Sequence, residues 1–385
     1  EMTGLDSFDM DDFTRVARIC SFVSTAATVA TDECVGTGAQ EFNASTCVNS
    51  YRCGEGRCTF ANGDTYEGAF NNDQRQGFGT FTGADGYQLQ GSWVAGQIEG
   101  EGRVTYPDGS VYEGEIRGDL ANGRGKTTYP DGSTYDGAWV DGVIEGEGIA
   151  TYTNGVVYQG AFSNARYNGE GRITYPDGYT YQGAWKDNQR HGSGQEFRTD
   201  GSLFYEGAWV ENKKHGRGLL FSPEAHLVFN GQFRKGSREG QGKEFRKNGE
   251  LLYEGEFANN QWHGQGQLRS PFGALLYEGE FQQGKQEGAG KEFRESGTLL
   301  YEGAWLAGLR HGEGRIFTPD GSVAFKGTFV SGVRTGRGAE YHKNGLVFYK
   351  GTYTNGEREG TGVLYYNNGN IAYHGDFKVG FRNGA

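Results

Sequence analysis

Residues 66–70 read Tyr-Glu-Gly-Ala-Phe, and this aromatic-x-Gly-x-aromatic phrase recurs fourteen times, with few departures, in a chain of 385 residues. The step between phrases is 23 residues up to Tyr181 and 24 residues from there on. A fixed period of this length is typical of a stacked repeat array. The first position of the phrase falls at residues 66, 89, 112, 135, 158, 181, 205, 229, 253, 277, 301, 325, 349 and 373.

Each repeat has the pattern of a two-stranded hairpin. Residues 100–106 (GEGRVTY) lead to Pro-Asp-Gly at 107–109, and the phrase at 112–116 follows. Asp-Gly or Asn-Gly between two short runs of β-forming residues is a strong hairpin signal, because these residues tolerate positive φ. The same pair recurs in eleven of the repeats, so the sequence predicts one hairpin per repeat.

The rings of each phrase should lie on one face of the sheet. Alternate residues of a strand share a face, so the first ring, the Gly and the last ring point the same way. The Gly leaves room for a neighbouring ring to lie over backbone, and the phrases hold 26 of the 54 aromatic residues. We therefore predict an all-β fold, an elongated and twisted single sheet of about fourteen stacked hairpins, on the order of 130 Å long before twist.

The second half of the chain carries a further period of 48 residues. Lys-Glu-Phe-Arg occurs at 243–246 and again at 291–294, with Gln-Glu-Phe-Arg at 195–198, and a Ser/Thr-Pro pair falls between these motifs. The unit there is a pair of hairpins whose two members have different surroundings. Recent duplication explains this pattern, and so does a partner that contacts every second repeat. Near residues 190–205, where the period changes, we expect a change of twist or curvature.

The phrase and its spacing resemble the MORN (membrane occupation and recognition nexus) repeat. Residues 135–142 (YDGAWVDG), followed by Gly-Glu-Gly at 146–148, match its pattern position by position. The resemblance covers residue 54 to about residue 384. It implies a scaffold, a dimeriser, a groove that binds peptides or a membrane-adjacent tether. The predicted organisation is a capping or assembly segment at 1–53 and the repeat array at 54–385, with no enzyme domain.

The charge of the chain disfavours nucleic acid as a partner. The formal net charge is −12, and it is uneven, with −14 in residues 1–190 and +2 in residues 191–385. Nucleic-acid binding needs a basic stripe. Anionic membranes also favour clustered Lys and Arg, so a membrane surface is a weakly supported partner.

The cysteines all lie near the N-terminus, which favours disulfides in an oxidising compartment and predicts an exported protein. No Cys-x-x-Cys pair is present, which argues against a zinc site. Asn43 is the single Asn-x-Ser/Thr acceptor, and residues 9–25 have the spacing of a short amphipathic helix. The longest uncharged run near the N-terminus, 19–31, is too short to cross a bilayer. The candidate disulfide cysteines are Cys20, Cys34, Cys47, Cys53 and Cys58.

No catalytic, cofactor or metal site is predicted. Residues 123–127 (GRGKT) look like the end of a phosphate-binding loop, but Leu120 stands where the loop needs its first glycine. Histidines recur before several Gly-x-Gly runs, one hairpin or more apart, which is too far for shared metal ligation from adjacent positions. The repeats therefore favour a non-catalytic role.

The leading hypothesis is a structural protein that self-associates into a filament or dimer through the array and the N-terminal segment. Its C-terminal edge, at Tyr373 and Phe377, is an unpaired strand that could pair with another chain. The alternative is an adaptor that binds a peptide or helix of another protein along the aromatic face. Binding to a lipid or glycan surface is a third hypothesis, with weaker support. The candidate interaction face comprises Tyr135, Trp139, Tyr181, Trp185, Tyr205, Trp209, Tyr301 and Trp305.

Overall fold

The structure is a computed structural model of the chain, and it describes residues 54–383. These residues contain 29 β-strands and no helix, and every strand pairing is antiparallel, which confirms the all-β hairpin array. The chain divides into two compact units, Glu1–Gly201 and Ser202–Ala385, with the division close to the change of period.

In the first unit each strand pairs with the next one in the chain. The strands are β1 (Gly54–Thr59), β2 (Thr65–Asn71), β3 (Gln74–Thr82), β4 (Gln88–Val94), β5 (Gln97–Thr105), β6 (Val111–Arg117), β7 (Leu120–Thr128), β8 (Thr134–Val140), β9 (Val143–Thr151), β10 (Val157–Ser163), β11 (Arg166–Thr174), β12 (Thr180–Lys186) and β13 (Gln189–Phe197).

The second unit follows the same sequential order. Its strands are β14 (Leu203–Val210), β15 (Lys213–Phe221), β16 (Leu227–Arg234), β17 (Ser237–Phe245), β18 (Leu251–Ala258), β19 (Gln261–Arg269), β20 (Leu275–Gln282), β21 (Lys285–Phe293), β22 (Leu299–Leu306), β23 (Leu309–Phe317), β24 (Val323–Val330), β25 (Val333–Tyr341), β26 (Val347–Thr354), β27 (Glu357–Tyr365), β28 (Ile371–Lys378) and β29 (Phe381–Asn383).

The Asp-Gly pairs lie in five-residue loops, as the sequence predicts. At residues 106–110 the Tyr106 N–H donates to the Ser110 carbonyl at 2.8 Å, and the Gly109 N–H donates to the Tyr106 carbonyl at 2.9 Å. The Asp108 carboxylate accepts from the Ser110 N–H at 2.8 Å. These bonds close each loop between two antiparallel strands.

A second, tighter turn follows every phrase, and it is the true two-residue hairpin turn of each repeat. Both of its residues have positive φ, for example 48° at Asn72 and 65° at Asp73, which is the geometry of a type I′ turn. The sequence signal for this turn is weak, because its first position also holds Ala, Lys, Gln, Ser or Val. The turns are residues 72–73, 95–96, 118–119, 141–142, 164–165, 187–188, 211–212, 235–236, 259–260, 283–284, 307–308, 331–332, 355–356 and 379–380.

The twenty-fourth residue of each later repeat forms a β-bulge. In the first unit Tyr181 pairs with Ile173 and Thr180 with Thr174, without interruption. In the second unit Phe229 pairs with Leu220 and Leu227 with Phe221, so that one residue is left over between them. Because a bulge places two residues opposite one, the strand lengthens while the phrase keeps its register.

The 48-residue period has a structural role inside the second unit. The Arg246 guanidinium donates to the Ser270 carbonyl at 3.1 Å, and Arg294, 48 residues later, donates to the Phe317 carbonyl. The loop of the intervening hairpin, between β19 and β20, is closed instead by the side chain of Ser270. Ser270 is fully buried, and its Oγ accepts from the Phe272 N–H at 3.2 Å. The two members of each hairpin pair therefore differ in the hydrogen bonds that stabilise their loops.

Candidate functional site

Glycines form a continuous ladder through the middle of each unit. In every hairpin the Gly of the phrase pairs with the second Gly of Gly-x-Gly, as Gly114 does with Gly102 on one side and Gly125 on the other. A Cβ on Gly125 would lie 2.3 Å from atoms of the Tyr112 ring, so the ring occupies the space that a side chain would take. The predicted gap for a ring is confirmed.

The phrase rings form one interlocked row on this face, which we call the ring face. Tyr205 contacts Trp209 of its own phrase edge-on at 5.3 Å and Phe233 of the next phrase at 5.2 Å. Phe229 then contacts Phe233 and Phe257 in the same way. Edge-to-face pairs of this kind add stability beyond the buried area. The row is the core of each unit.

The eight rings of the candidate interaction face belong to this core. Their exposed fractions lie between 0% and 8%, so a partner on this face would contact the residues that surround the rings rather than the rings themselves. Several of their polar atoms are also used internally. Tyr135 Oη donates to the Ala138 carbonyl at 3.0 Å, and Trp139 Nε1 donates to the Gly125 carbonyl at 3.2 Å.

Burial raises the pKa of several phrase tyrosines and so favours their protonated form. It raises the pKa of Tyr66 and of Tyr301 to about 12, and the nearby Arg75 and Arg310 offset part of this effect. For Tyr135 burial raises the pKa still further above its usual range. Removal of a buried, hydrogen-bonded hydroxyl from water disfavours the phenolate.

The bulges of the second unit add apolar side chains beside the ring row. The Phe204 ring lies 4.3 Å from Lys214 Nζ, and the Phe348 ring lies 5.0 Å from Arg358 Cζ, and both cations also lie over rings of the row. The bulge residue therefore points to the ring face. By the same register we assign this face to all eight positions, the bulge row: Phe204, Val228, Leu252, Leu276, Leu300, Ala324, Phe348 and Ala372.

A row of cations lies across the rings of the second unit. The Arg334 guanidinium carbon is 4.6 Å from the centre of the Phe325 ring, and that of Arg310 is 4.9 Å from the centre of the Tyr301 ring. Each cation stands nine residues after the first position of its phrase, a spacing that sequence reasoning missed although it was visible. The cation row comprises Lys214, Arg238, Arg310, Arg334, Arg358 and Arg382.

Glutamates 48 residues apart pair with some of these cations. Glu340 accepts from Arg358 Nε at 3.2 Å and from Tyr353 Oη at 2.8 Å, and Glu292 accepts from Arg310 Nη2 at 2.6 Å. Burial alone would raise the pKa of Glu340, but the hydrogen bonds from Arg358 and Tyr353 outweigh it and lower the pKa. These side chains keep an exposed fraction of about a fifth to a quarter, so they still reach solvent.

The first unit differs at the same positions. In four consecutive repeats of the first unit, the residue nine positions after the start of the phrase is aliphatic or aromatic. These residues have exposed fractions of at most 4%, and they are Ile98, Ala121, Ile144 and Tyr167. In the first and last phrases of this unit the position holds Arg75 and Arg190, which lie over the Tyr66 and Tyr181 rings. The second unit differs because it repeats the cation in six of its eight phrases and places the bulge row beside it.

Most of the N-terminal candidates lie outside the described residues. These are Cys20, Cys34, Cys47, Cys53, the glycosylation candidate Asn43 and the expected helix at 9–25. Cys58 lies in β1 and is 1% exposed. The disulfide pairing of the five cysteines stays a prediction.

The expectation of an unpaired strand at the C-terminal edge is wrong at Phe377, which pairs with Arg382 of β29. Phe377 is 2% exposed, and Tyr373, which it contacts edge-on at 5.3 Å, is half-buried. Among residues 54–383 no helix is apolar and long enough to cross a membrane. Within the same range no group of three or more His, Cys, Asp or Glu side chains is arranged to hold a metal ion.

Comparison with solved structures gives distant likenesses. The TCP domain of Drosophila melanogaster SAS-4, in complex with a proline-rich motif of Ana2, is 16% identical, with 41% of this chain and 85% of that chain covered and a TM-score of 0.27. The TCP10 domain of Danio rerio CPAP, in complex with a STIL peptide, is 12% identical, with 71% and 99% covered and a TM-score of 0.20. Such low scores carry no argument about function.

Comparison with curated proteins finds no match. The model of one family, the MORN repeat, matches fourteen segments that begin at residue 48 and end at residue 371. These segments carry the phrase, the glycine ladder and the ring row of both units. The chain belongs to the MORN repeat family.

Proposed function

We propose that this protein is a non-catalytic repeat scaffold that binds a protein partner along the ring face of residues 202–383. The observation that carries the proposal is the pairing of the bulge row with the cation row on one face. Arg358 lies over the buried ring of Tyr349 and beside the half-buried ring of Phe348, so charge and apolar surface meet at one place. The repeat then extends this combination along the unit.

The side chains of the bulge row and the cation row determine which kind of ligand this face can bind. A segment with apolar side chains on one side and Asp or Glu on the other would contact both rows at once, in the manner of a peptide or helix held in a groove. Arg334 and Arg358 keep side-chain exposed fractions of 34% and 22%, so they remain available for charge-assisted hydrogen bonds with carboxylates. The shared Glu340 prevents a purely cationic surface, which disfavours nucleic acid and favours a protein segment.

Site-specific photo-crosslinking tests this proposal. A benzophenone amino acid in place of Phe348 should crosslink one defined partner segment in the cells that make the protein. The matched control is the same group in place of Lys350, which is two residues away, exposed and on the opposite face. The segment recovered from position 348 should be rich in Asp, Glu and apolar residues. Equal recovery from both positions, or none from position 348, would reject the ring face as the binding surface.

Self-association is the second candidate function. The observation that favours it is a patch of four exposed aliphatic residues on the opposite face of the second unit, because a contiguous apolar patch is typical of an interaction site. A dimer formed through this patch would leave the ring face of each copy free for a partner. The two candidates are therefore compatible.

Export and disulfide formation remain part of the proposal. Their support is the clustering of all five cysteines in the first 58 residues, together with the burial of Cys58. Peptide mapping of the secreted protein without reducing agent should show linked peptides that contain Cys58. Recovery of Cys58 as a free thiol in protein from its native source would contradict the proposal.

A further inference from the structure

Four aliphatic side chains cluster beside two neighbouring type I′ turns. Leu306 and Leu309 pair across the turn between β22 and β23, and Val330 and Val333 pair across the turn between β24 and β25. Their exposed fractions are 48%, 49%, 46% and 41%. We call these four residues the turn patch.

The turn patch lies on the face opposite the ring face, because Leu306 follows the buried Trp305 and successive residues of a strand point to opposite faces. The two flanking hairpins have polar pairs at the same positions, Gln282 with Lys285 and Thr354 with Glu357. Farther along the same face Lys243 pairs with Glu254 at 2.9 Å. The turn patch is therefore the place where two neighbouring hairpins of the second unit both have an aliphatic pair beside the turn.

The hairpins on either side of the turn patch carry opposite charges at the same turn positions. Lys285 stands at the start of β21 on one side, and Glu357 stands at the start of β27 on the other, and both are exposed. A second copy turned by 180° about an axis through the patch would bring the lysine of each copy opposite the glutamate of the other. This complementarity is specific to the antiparallel arrangement.

We propose that the turn patch pairs with the turn patch of a second copy of the chain in a closed, antiparallel, twofold-symmetric dimer. The inference rests on the self-association candidate and names its surface and symmetry. Stable interfaces bury about 800 Å² on each partner, more than four half-exposed aliphatic side chains supply. The flanking hairpins with Lys285 and Glu357 complete the interface, and the dimer dissociates reversibly on dilution.

Sedimentation equilibrium of the full chain over a range of concentrations tests the patch. The wild-type protein should move from monomer to dimer and no further, because a twofold interface is closed. Leu306→Glu should weaken dimerisation at least about tenfold, since it places a charge in an apolar contact. The matched control is Val140→Glu, at the same position of a hairpin in the first unit with an exposed fraction of 49%, and it should leave dimerisation unchanged.

A charge exchange tests the symmetry independently of the patch. Lys285→Glu and Glu357→Lys should each weaken the dimer, because like charges then meet across the axis. The double variant restores opposite charges and should dimerise like the wild-type protein. Loss in the double variant equal to the sum of the single losses would overturn the antiparallel arrangement.

The outcomes distinguish self-association in general from dimerisation through the turn patch. A wild-type protein that is monomeric at all concentrations would overturn both self-association and this inference. A dimer that survives Leu306→Glu would overturn the turn patch alone and leave self-association through another surface. Species larger than a dimer that persist in Leu306→Glu would overturn the closed arrangement. Crosslinking at position 348 reports on the ring face separately.

Discussion

At the scale of the residue, the fold depends on pairs of one tyrosine and one glycine. The Tyr112 ring covers Gly125, its hydroxyl donates to the Glu115 carbonyl at 2.6 Å, and the same arrangement recurs along the array. The ring gains buried area and the glycine supplies the space for it. Neither residue can change alone without disturbing the other.

Gly125→Ala should destabilise the protein by about 1–3 kcal/mol, because the new Cβ would overlap the Tyr112 ring. The same substitution in a Tyr112→Leu background should cost markedly less, since the shorter side chain leaves space for the methyl group. Urea unfolding of the two single variants and the double variant measures this coupling. Additive losses would show that the ring does not lie over the glycine.

Glu340→Gln should lower stability by about 2 kcal/mol at neutral pH, because Glu340 accepts charge-assisted hydrogen bonds from Arg358 and Tyr353. Its lowered pKa means that this stabilisation is present above the unfolded carboxyl value near 4.5 and is lost as pH falls below it. The variant should therefore be less sensitive to acid than the wild type between pH 5 and about 3. Thermal unfolding at several pH values measures this, with Glu292→Gln as the control that removes a pair with Arg310 alone. An acid sensitivity equal to that of the wild type would refute the role of Glu340.

At the scale of the element, the hairpins are set by two kinds of turn and by β-bulges at two places, one after the phrase glycine and one before the phrase in the second unit. Type I′ turns require positive φ at both positions, and Asn-Gly satisfies this requirement best. The turn at 331–332 is Ser-Gly and the turn at 355–356 is Asn-Gly, with first-position φ values of 49° and 51°. The two turns are a natural matched pair.

Ser331→Asn should stabilise the protein by about 0.5–1 kcal/mol, because asparagine tolerates left-handed backbone better than serine. Asn355→Ser, the reverse change in the next hairpin, should destabilise it by a similar amount. Differential scanning calorimetry of the two variants compares them directly. Shifts of the same sign would contradict the assignment of these residues to type I′ turns.

Much of the element structure could be predicted from the sequence. The 23- and 24-residue periods and the Asp-Gly pairs predicted the strands and one set of turns, because these features use distinctive residues. The type I′ turns were missed because Lys235 or Val379 at positive φ is unusual for a side chain of that kind. Glycine, asparagine or aspartate at the second turn position in nearly every repeat was the available signal.

The candidate site was less predictable. The sequence indicated which residues form the ring row. It did not indicate that these rings bury one another, so that Arg334 and Phe348 are the side chains that can contact a ligand. The face of the inserted residue depends on the bulge, since without it Phe348 would alternate to the side opposite Tyr349. The face to which Phe348 points depends on the pairing register of the strands, which cannot be read from the spacing of the phrases alone.

At the scale of the whole molecule, the two units have the same core and different ring faces. Eleven of the 23 tyrosines stand at the first position of a phrase. A raised folded-state pKa gives stability that is fully present below the unfolded value near 10.0 and is lost as pH rises toward about 12. Both units should therefore unfold in alkali as these tyrosines ionise.

If the phrase tyrosines form the buried core over the glycine ladder, a spectroscopic pH titration should detect their late ionisation. Tyrosinate absorbance near 295 nm and the β-sheet circular dichroism signal would be followed together from pH 8 to 13. We predict that the buried tyrosines ionise well above pH 10, as one group, together with loss of the β-sheet signal. Ionisation of all tyrosines near pH 10 with an unchanged β-sheet signal would contradict this prediction.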